Sequence, residues 1–198
     1  MELELEDTRH LLQVVSEENA AGPQPPGTIP VTLDISGMYS NVPWTDGMTA
    51  FEEAMDRRDT QDIPTSFLMS LAMLVLSCNL FVFDGVLFLQ LFVAAMGTKV
   101  APTFACLFIG WLELRMLAGW WGLQPYLWRR YIDDIWFLWR GTETELIQFV
   151  EYLNSYHPTI KFKCKKDINF SFSSRKVDFL DTTIWIDDDG MIQTTLYS

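Results

Sequence analysis

The segment WRRYIDDIWFLWR, Trp128–Arg140, sets Asp133 and Asp134 side by side among Trp, Tyr, Ile, Phe and Leu. Burying even one ionised carboxylate without a partner costs several kcal/mol. A fold built on this segment must therefore carry the pair to an exposed turn or compensate it with a cation. Aspartate suits turns, so a polar hairpin turn is one reading. The pattern predicts a hairpin over Trp128–Trp139 centred on Asp133 and Asp134. A third acid, Asp34, stands alone in the otherwise apolar strand predicted over Val31–Ile35, where a strand-end aspartate is the plain alternative. If the two strands are neighbours, Asp34, Asp133 and Asp134 form an oxygen cage for paired divalent ions. Mg²⁺ prefers carboxylate and phosphate oxygens. Two such ions about 4 Å apart can activate a 3′-hydroxyl and stabilise a leaving pyrophosphate.

A further candidate is Ala95-Met96-Gly97-Thr98-Lys99, ahead of a nearly all-round apolar helix over Ala101 to Leu117 that must be buried. Glycine allows close backbone approach and a helix N-terminus attracts phosphate. The segment lacks the GxxxxGK[ST] pattern, and a glycine turn before a helix explains it as well.

The remaining periodicities predict helices over Met1–Val15, Thr45–Arg58 (capped by Thr45), Pro64–Cys78 and Glu143–Tyr156. Ala20–Pro30 reads as a Pro/Gly loop. A hairpin is expected over Phe81–Gln90 around Asp84-Gly85. Strands follow over Ile160–Lys165, Val177–Ile186 and Ile192–Tyr197, the last two joined at Asp188-Asp189-Gly190. Helices and hairpins that do not alternate regularly point to an α+β fold.

With 49% hydrophobic and 14% aromatic residues, the chain can bury a large core. Its 14 basic and 26 acidic side chains give a net charge of −12, which taken alone disfavours a self-sufficient grip on nucleic acid. Cys78, Cys106 and Cys164 are far apart and odd in number, so neither a disulfide framework nor a zinc site is expected, and a reduced compartment is the default. The N-terminus has no positive stretch and does not read as a secretory signal. Phe67–Phe83 is an uncharged run of 17 residues. It is interrupted by Ser70, Ser77 and Asn79 and has no Lys/Arg anchor, so a buried helix running into a strand is favoured over a membrane span.

The order of these blocks carries more than any one of them. LDISGMYSNVP, then QLFVAAMGTKVAPTFACLFIG, then YIDDI, then VDFLDTTIWIDDDGMIQTTLY resembles the reverse transcriptase of Penelope-like retroelements. The likeness extends upstream to DTRHLLQVV and PPGTIPVTLD and spans nearly the whole chain. It implies a polymerase palm-like antiparallel sheet packed on helices, with partial fingers and no complete thumb. Residues 1–30 would form an N-terminal helix and Pro/Gly loop, and residues 31–198 the palm with motifs A to E. Asp34 would be the motif A metal ligand, and Asp133 and Asp134 the motif C pair, holding two Mg²⁺ ions, with Mn²⁺ as a substitute. Tyr39 matches the aromatic residue that stacks under the sugar and disfavours a 2′-hydroxyl. Gln90, Met96, Gly97 and Thr98 match motif B, against the incoming nucleotide and template base.

The implied partners are an RNA template, a DNA primer and dNTP, with no membrane, in an intracellular and, when active, nuclear setting. One of Lys161, Lys163, Lys165 and Lys166 would act at the phosphates, or all four line a solvated strand face. Asp181 would be structural. Val93 departs from the family's pattern, replacing the first glycine of motif B. The lysine/arginine motifs of the fingers, the thumb and a GIY-YIG endonuclease are not found in these residues. The chain alone is expected to bind template and primer poorly. A catalytically inactive palm remnant or interaction module, and more remotely a small membrane protein, are the alternatives.

Overall fold

The computed structural model describes residues 3–78, 80–89, 100–164 and 176–197. In chain order the elements are α1 (Thr8–Ala21), β1 (Ile29–Ile35), α2 (Met38–Asn41), α3 (Trp44–Asp56), α4 (Thr65–Ser77), β2 (Leu80–Phe83) and β3 (Val86–Leu89). They continue with α5 (Ala101–Gly119), β4 (Tyr126–Tyr131), β5 (Asp134–Trp139), α6 (Glu143–Tyr156), β6 (Phe162–Cys164), β7 (Lys176–Phe179), β8 (Thr182–Ile186) and β9 (Ile192–Leu196). The α+β reading holds. Two compact units emerge, one of Met1–Ser36 with Leu117–Ser198, the other of Gly37–Met116.

The first unit is organised by β5, whose residues Ile135–Trp139 are completely buried. Its sheet has the order β4-β5-β1-β6, antiparallel throughout. Alternate side chains of a strand point to opposite faces, and both faces here are covered. On one, Phe137 and Trp139 meet Phe149 of α6, and Trp128 stacks on Phe137 at 5.2 Å. On the other, Trp136 and Leu138 share a core with Leu11, Val14 and Val15 of α1 and with Phe179, Ile184, Ile186 and Ile192 of the sheet β7-β8-β9. A strand covered on both sides reads as an unbroken apolar run, which is why DIWFLW does not alternate. Helix α6 starts at a reciprocal cap. The Thr142 hydroxyl accepts from the Glu145 N–H, and the Glu145 carboxylate accepts from the Thr142 N–H at 2.8 Å.

In the second unit, α5 buries one stripe, including Phe104, Phe108, Leu112 and Met116, while Leu114 is exposed. The all-round apolar composition predicted full burial; the helix is buried on one face only. It is long and apolar enough to cross a membrane by length and composition. Gly47 of α3 lies against the Phe104 ring so closely that a Cβ would collide with it. Glu53 of α3 accepts from the Trp111 indole at 2.8 Å and from Arg115 at 2.7 Å, both on α5. Helix α4 does run into strand β2, as Phe67–Phe83 predicted, but it is not a buried helix. It buries Ala72 and Leu76 alone among its residues, and all residues of β2 and β3 are exposed.

Several boundaries move for local reasons. Helix α1 begins at Thr8 rather than Met1, because the Asp7 carboxylate accepts the His10 N–H at 2.9 Å and caps it. Ahead of it Glu4 forms a β-bridge with Arg130, and Leu3 and Leu5 are buried. Helix α3 starts at Trp44 after Pro43, and Thr45 is inside it rather than its cap. The stretch Val177–Ile186 is two strands, β7 and β8, folded back at Leu180-Asp181.

Candidate active site

Strands β4 and β5 close on a two-residue turn, Ile132-Asp133, with Tyr131 and Asp134 as the last pair. The predicted centre is thus displaced by one residue. Asp133 sits in the turn, while Asp134 opens strand β5. Positive φ falls on Ile132 (55°) and not on Asp133, the pattern of a type II′ turn, whose first central position favours glycine. A β-branched residue there is a genuine outlier. The β7–β8 hairpin repeats the device, with Leu180 at φ 53° followed by Asp181. Asp181 accepts from the Thr8 hydroxyl at 3.2 Å and through its carbonyl from Tyr197 N–H at 2.8 Å, in keeping with a structural part.

Asp34 of β1 is the register partner of Asp134 of β5. The neighbouring pair, Ile35 and Asp133, is joined by Ile35 N–H to Asp133 C=O at 2.8 Å. Hydrogen-bonded and non-hydrogen-bonded pairs alternate along an antiparallel ladder, so Asp34 and Asp134 form a non-hydrogen-bonded pair. Such pairs hold their Cα atoms about 4.5 Å apart with the side chains closest. On its other flank Asp34 is the partner of Lys163 of β6, two positions along the ladder from the bonded pair Ser36 N–H to Lys161 C=O at 2.9 Å. Tyr131, Asp134, Asp34 and Lys163 therefore occupy one row across four strands, on one face. Tyr131, Asp134 and Asp34 are half-buried and Lys163 is exposed.

Like charges directly opposite each other destabilise a sheet. A hard cation bound between the two carboxylates would remove that cost. Among the described residues no three His, Cys, Asp or Glu side chains converge as a ready-made metal group, so Asp34, Asp133 and Asp134 do not form a three-carboxylate cage in the structure. Mg²⁺ is usually held by one or two carboxylates and completes its shell with water and substrate phosphates; Asp34 and Asp134 are the two carboxylates of this site that could hold one.

The lysines divide. The Lys161 ammonium donates to the carbonyls of Asn154 at 2.6 Å and His157 at 3.0 Å. It closes the C-terminal end of α6, where cations are favourable. Lys163 stands in the carboxylate row. Lys165 and Lys166 lie outside the described residues, as do Gln90, Val93, Met96, Gly97 and Thr98. Tyr39 is half-buried on α2, in the second unit, after Gly37 in the left-handed region.

Sequence reasoning passed over Arg130. It is 1% exposed, and its guanidinium donates to the Ile132 carbonyl at 3.0 Å inside the carboxylate turn. Its signal was the period of two. Trp128 and Arg130 share a face, so a strand that buries one inevitably points the other inward.

No protein-family model matches the chain, and no curated protein matches it in sequence. Solved structures do. The telomerase of Candida albicans, determined with a TWJ fragment of telomeric RNA, matches with a TM-score of 0.71 at 10% identity, over 98% of this chain and 34% of that one. Apo telomerase of Candida tropicalis matches with a TM-score of 0.69 at 10% identity, over 98% of this chain and 37% of that one. Its form truncated from the C-terminal domain gives 0.67 at 12% identity, over 98% and 41%. The chain therefore spans well under half the length of these neighbours. At such identities the likeness carries the fold alone, an α+β, palm-like fold that the chain shares with these telomerase structures.

Proposed function

We propose that this chain is the palm-centred portion of an RNA-directed DNA polymerase, similar to the reverse transcriptase of Penelope-like retroelements. The observation that carries the reading is the direct opposition of Asp34 and Asp134, with Asp133 beside them at the turn. The telomerase neighbours, one determined with RNA, support a nucleic acid as partner. On this reading residues 1–198 are part of one reverse-transcriptase domain acting on RNA template, DNA primer and dNTP.

Two bound divalent ions, Mg²⁺ or Mn²⁺, would supply the Lewis acidity that activates a primer 3′-hydroxyl and neutralises leaving pyrophosphate. The chain's own contribution is positioning and electrostatics, as in phosphoryl transfer generally. Asp34 and Asp134 supply opposed carboxylate oxygens from adjacent strands, and Asp133 stands next to Asp134 in the turn. Lys163, next in the row, offers a positive charge to phosphate oxygens; Lys161 is engaged at the α6 terminus. By the resemblance, Tyr39 lies under the sugar and excludes a 2′-hydroxyl, while Gln90, Met96, Gly97 and Thr98 line the nucleotide and template base. Part of the −12 charge is then the carboxylate set that binds cations, so it argues less strongly against nucleic acid than it first does.

Primer extension on an RNA template with Mg²⁺ or Mn²⁺ tests the reading. Extension that vanishes in Asp133→Ala supports it. A palm without activity is the second reading, favoured by Val93, whose branched side chain replaces glycine where the family's motif meets the nucleotide. Absence of extension that Val93→Gly restores would assign the loss to that residue. Absence in both would favour the inactive palm.

A further inference from the structure

The carboxylate turn is supported from behind. Arg130 pairs with Ile135, so its side chain lies on the opposite face of the sheet from the Asp134–Asp34 row. From there the guanidinium reaches around to the carbonyl of Ile132, at 3.0 Å. Its other terminal nitrogen lies 3.6 Å from the carboxylate of Glu4. The two backbone groups of Arg130 are tied to the same N-terminal segment. Its N–H donates to Leu3 C=O and its C=O accepts from Leu5 N–H, each at 2.7 Å. Leu3 and Leu5 are 7% and 3% exposed, and Leu5 belongs to the core that holds Trp136. The N-terminal segment is thus an added parallel bridge on the edge of β4, pinned by two leucines and carrying a carboxylate to a buried cation.

Burying a guanidinium is costly unless its donors are used. A charge-assisted bond to a carbonyl is stronger than a neutral one. Here one such bond falls on a peptide whose residue is held in the left-handed region without being glycine. Ile132 directly precedes the carboxylate pair, so any relaxation of its φ re-aims Asp133 and Asp134 together.

We propose that Arg130, braced by Glu4, is a positioning residue that locks the Ile132 turn and so aims Asp133 and Asp134 at their partner Asp34. This deepens the metal-site reading and rests on it for its functional meaning.

A double-mutant cycle between Arg130 and Ile132 tests it, with Mn²⁺ binding to the metal-free chain and thermal unfolding as two readouts. Glycine adopts positive φ freely, so Ile132→Gly removes the need for a lock. The expected result is that Arg130→Gln weakens Mn²⁺ binding about tenfold in the native background and less than threefold in the Ile132→Gly background. Glu4→Gln weakens it two- to threefold. Equal losses in both backgrounds, or an unchanged Mn²⁺ affinity in folded Arg130→Gln, would overturn the proposal. Should Arg130→Gln not fold, Arg130→Lys carries the cycle, since lysine keeps the charge and loses the fork. Recovery of folding only with Ile132→Gly supports the lock, and failure in both backgrounds overturns it. The Asp34→Asn variant keeps the two ideas apart. If it leaves Mn²⁺ binding unchanged, the polymerase reading fails. The lock is then decided by the melting temperatures, supported if the losses are non-additive and overturned if they add.

Discussion

Asp34 and Asp134 are direct cross-strand partners in a non-hydrogen-bonded pair, so two carboxylates leave adjacent strands at the closest spacing an antiparallel sheet provides. Opposite charges at that position would stabilise the sheet; like charges oppose it. The surrounding strands are among the best-packed parts of the molecule, with Ile135–Trp139 fully buried, and they fix the backbone register of the pair.

Neutralising one member should therefore stabilise the metal-free protein. A pair of this kind is worth roughly 0.2–1 kcal/mol, so Asp34→Asn should raise the melting temperature by about 1–4 °C in chelator at low salt. Millimolar Mn²⁺ should raise the melting temperature of the native chain, because ligands that bind the folded state stabilise it, and should leave that of Asp34→Asn nearly unchanged. A lower melting temperature for the variant in chelator would show that the pair is not repulsive.

Two lysines two residues apart should behave differently. Lys161 closes the end of α6 through the carbonyls of Asn154 and His157, a contact worth about 0.3–1 kcal/mol at a helix C-terminus. Lys161→Met should lower the unfolding free energy from urea titration by that amount and leave triphosphate binding alone. Lys163→Met, in register with Asp34, should leave the unfolding free energy alone and weaken binding of Mg²⁺–triphosphate several-fold by fluorescence titration. The reverse pattern would move the phosphate role to Lys161.

The cysteines offer a check on the first unit's packing. Burial pushes the Cys164 thiol up to about 11, and Cys78 is exposed. Only the thiolate is nucleophilic. At pH 8 iodoacetamide should therefore label Cys78 first, with Cys164 slower by on the order of a hundredfold, as mapped by mass spectrometry. Comparable rates at the two sites would mean that β6 does not pack against β1 as described.

The parts of this fold legible in the sequence are those written in local pattern. The YIDDI hairpin, the Asp34 strand and the α6 helix all follow from periodicity and turn chemistry, and the α+β class from their order. Adjacency of β1 and β5 is not local, so the pairing of Asp34 with Asp134 rests on register alone. The turn centre was misplaced by one residue because Ile132 occupies a position where composition favours glycine. Leu3-Glu4-Leu5 is too short to separate a period of two from one of 3.6, and its pairing with Arg130 is set by a segment more than a hundred residues away. The full-length strand expected over Val177–Ile186 broke for the same reason as the first turn, an apolar residue, Leu180, at positive φ.

Glu53 sets an acid limit on the second unit. The Trp111 indole N–H, then the Arg115 guanidinium, hold its carboxyl below the ordinary glutamate range. Arg57 adds a contact at 3.0 Å, and Arg115 lies 4.0 Å over the Trp111 ring. A group whose folded-state pKa is depressed binds protons more readily when unfolded. Its contribution is therefore present above the unfolded value, near 4.3 for glutamate, and is lost as pH falls through the lower folded value. Glu53→Gln should lower the urea midpoint at pH 7, and the gap to the native chain should narrow below about pH 4 and close under stronger acid. Because these side chains are partly exposed, the gap should also shrink in 1 M NaCl. A gap that stays constant from pH 7 to pH 2.5 would mean that Glu53 acts through packing and not through its charge.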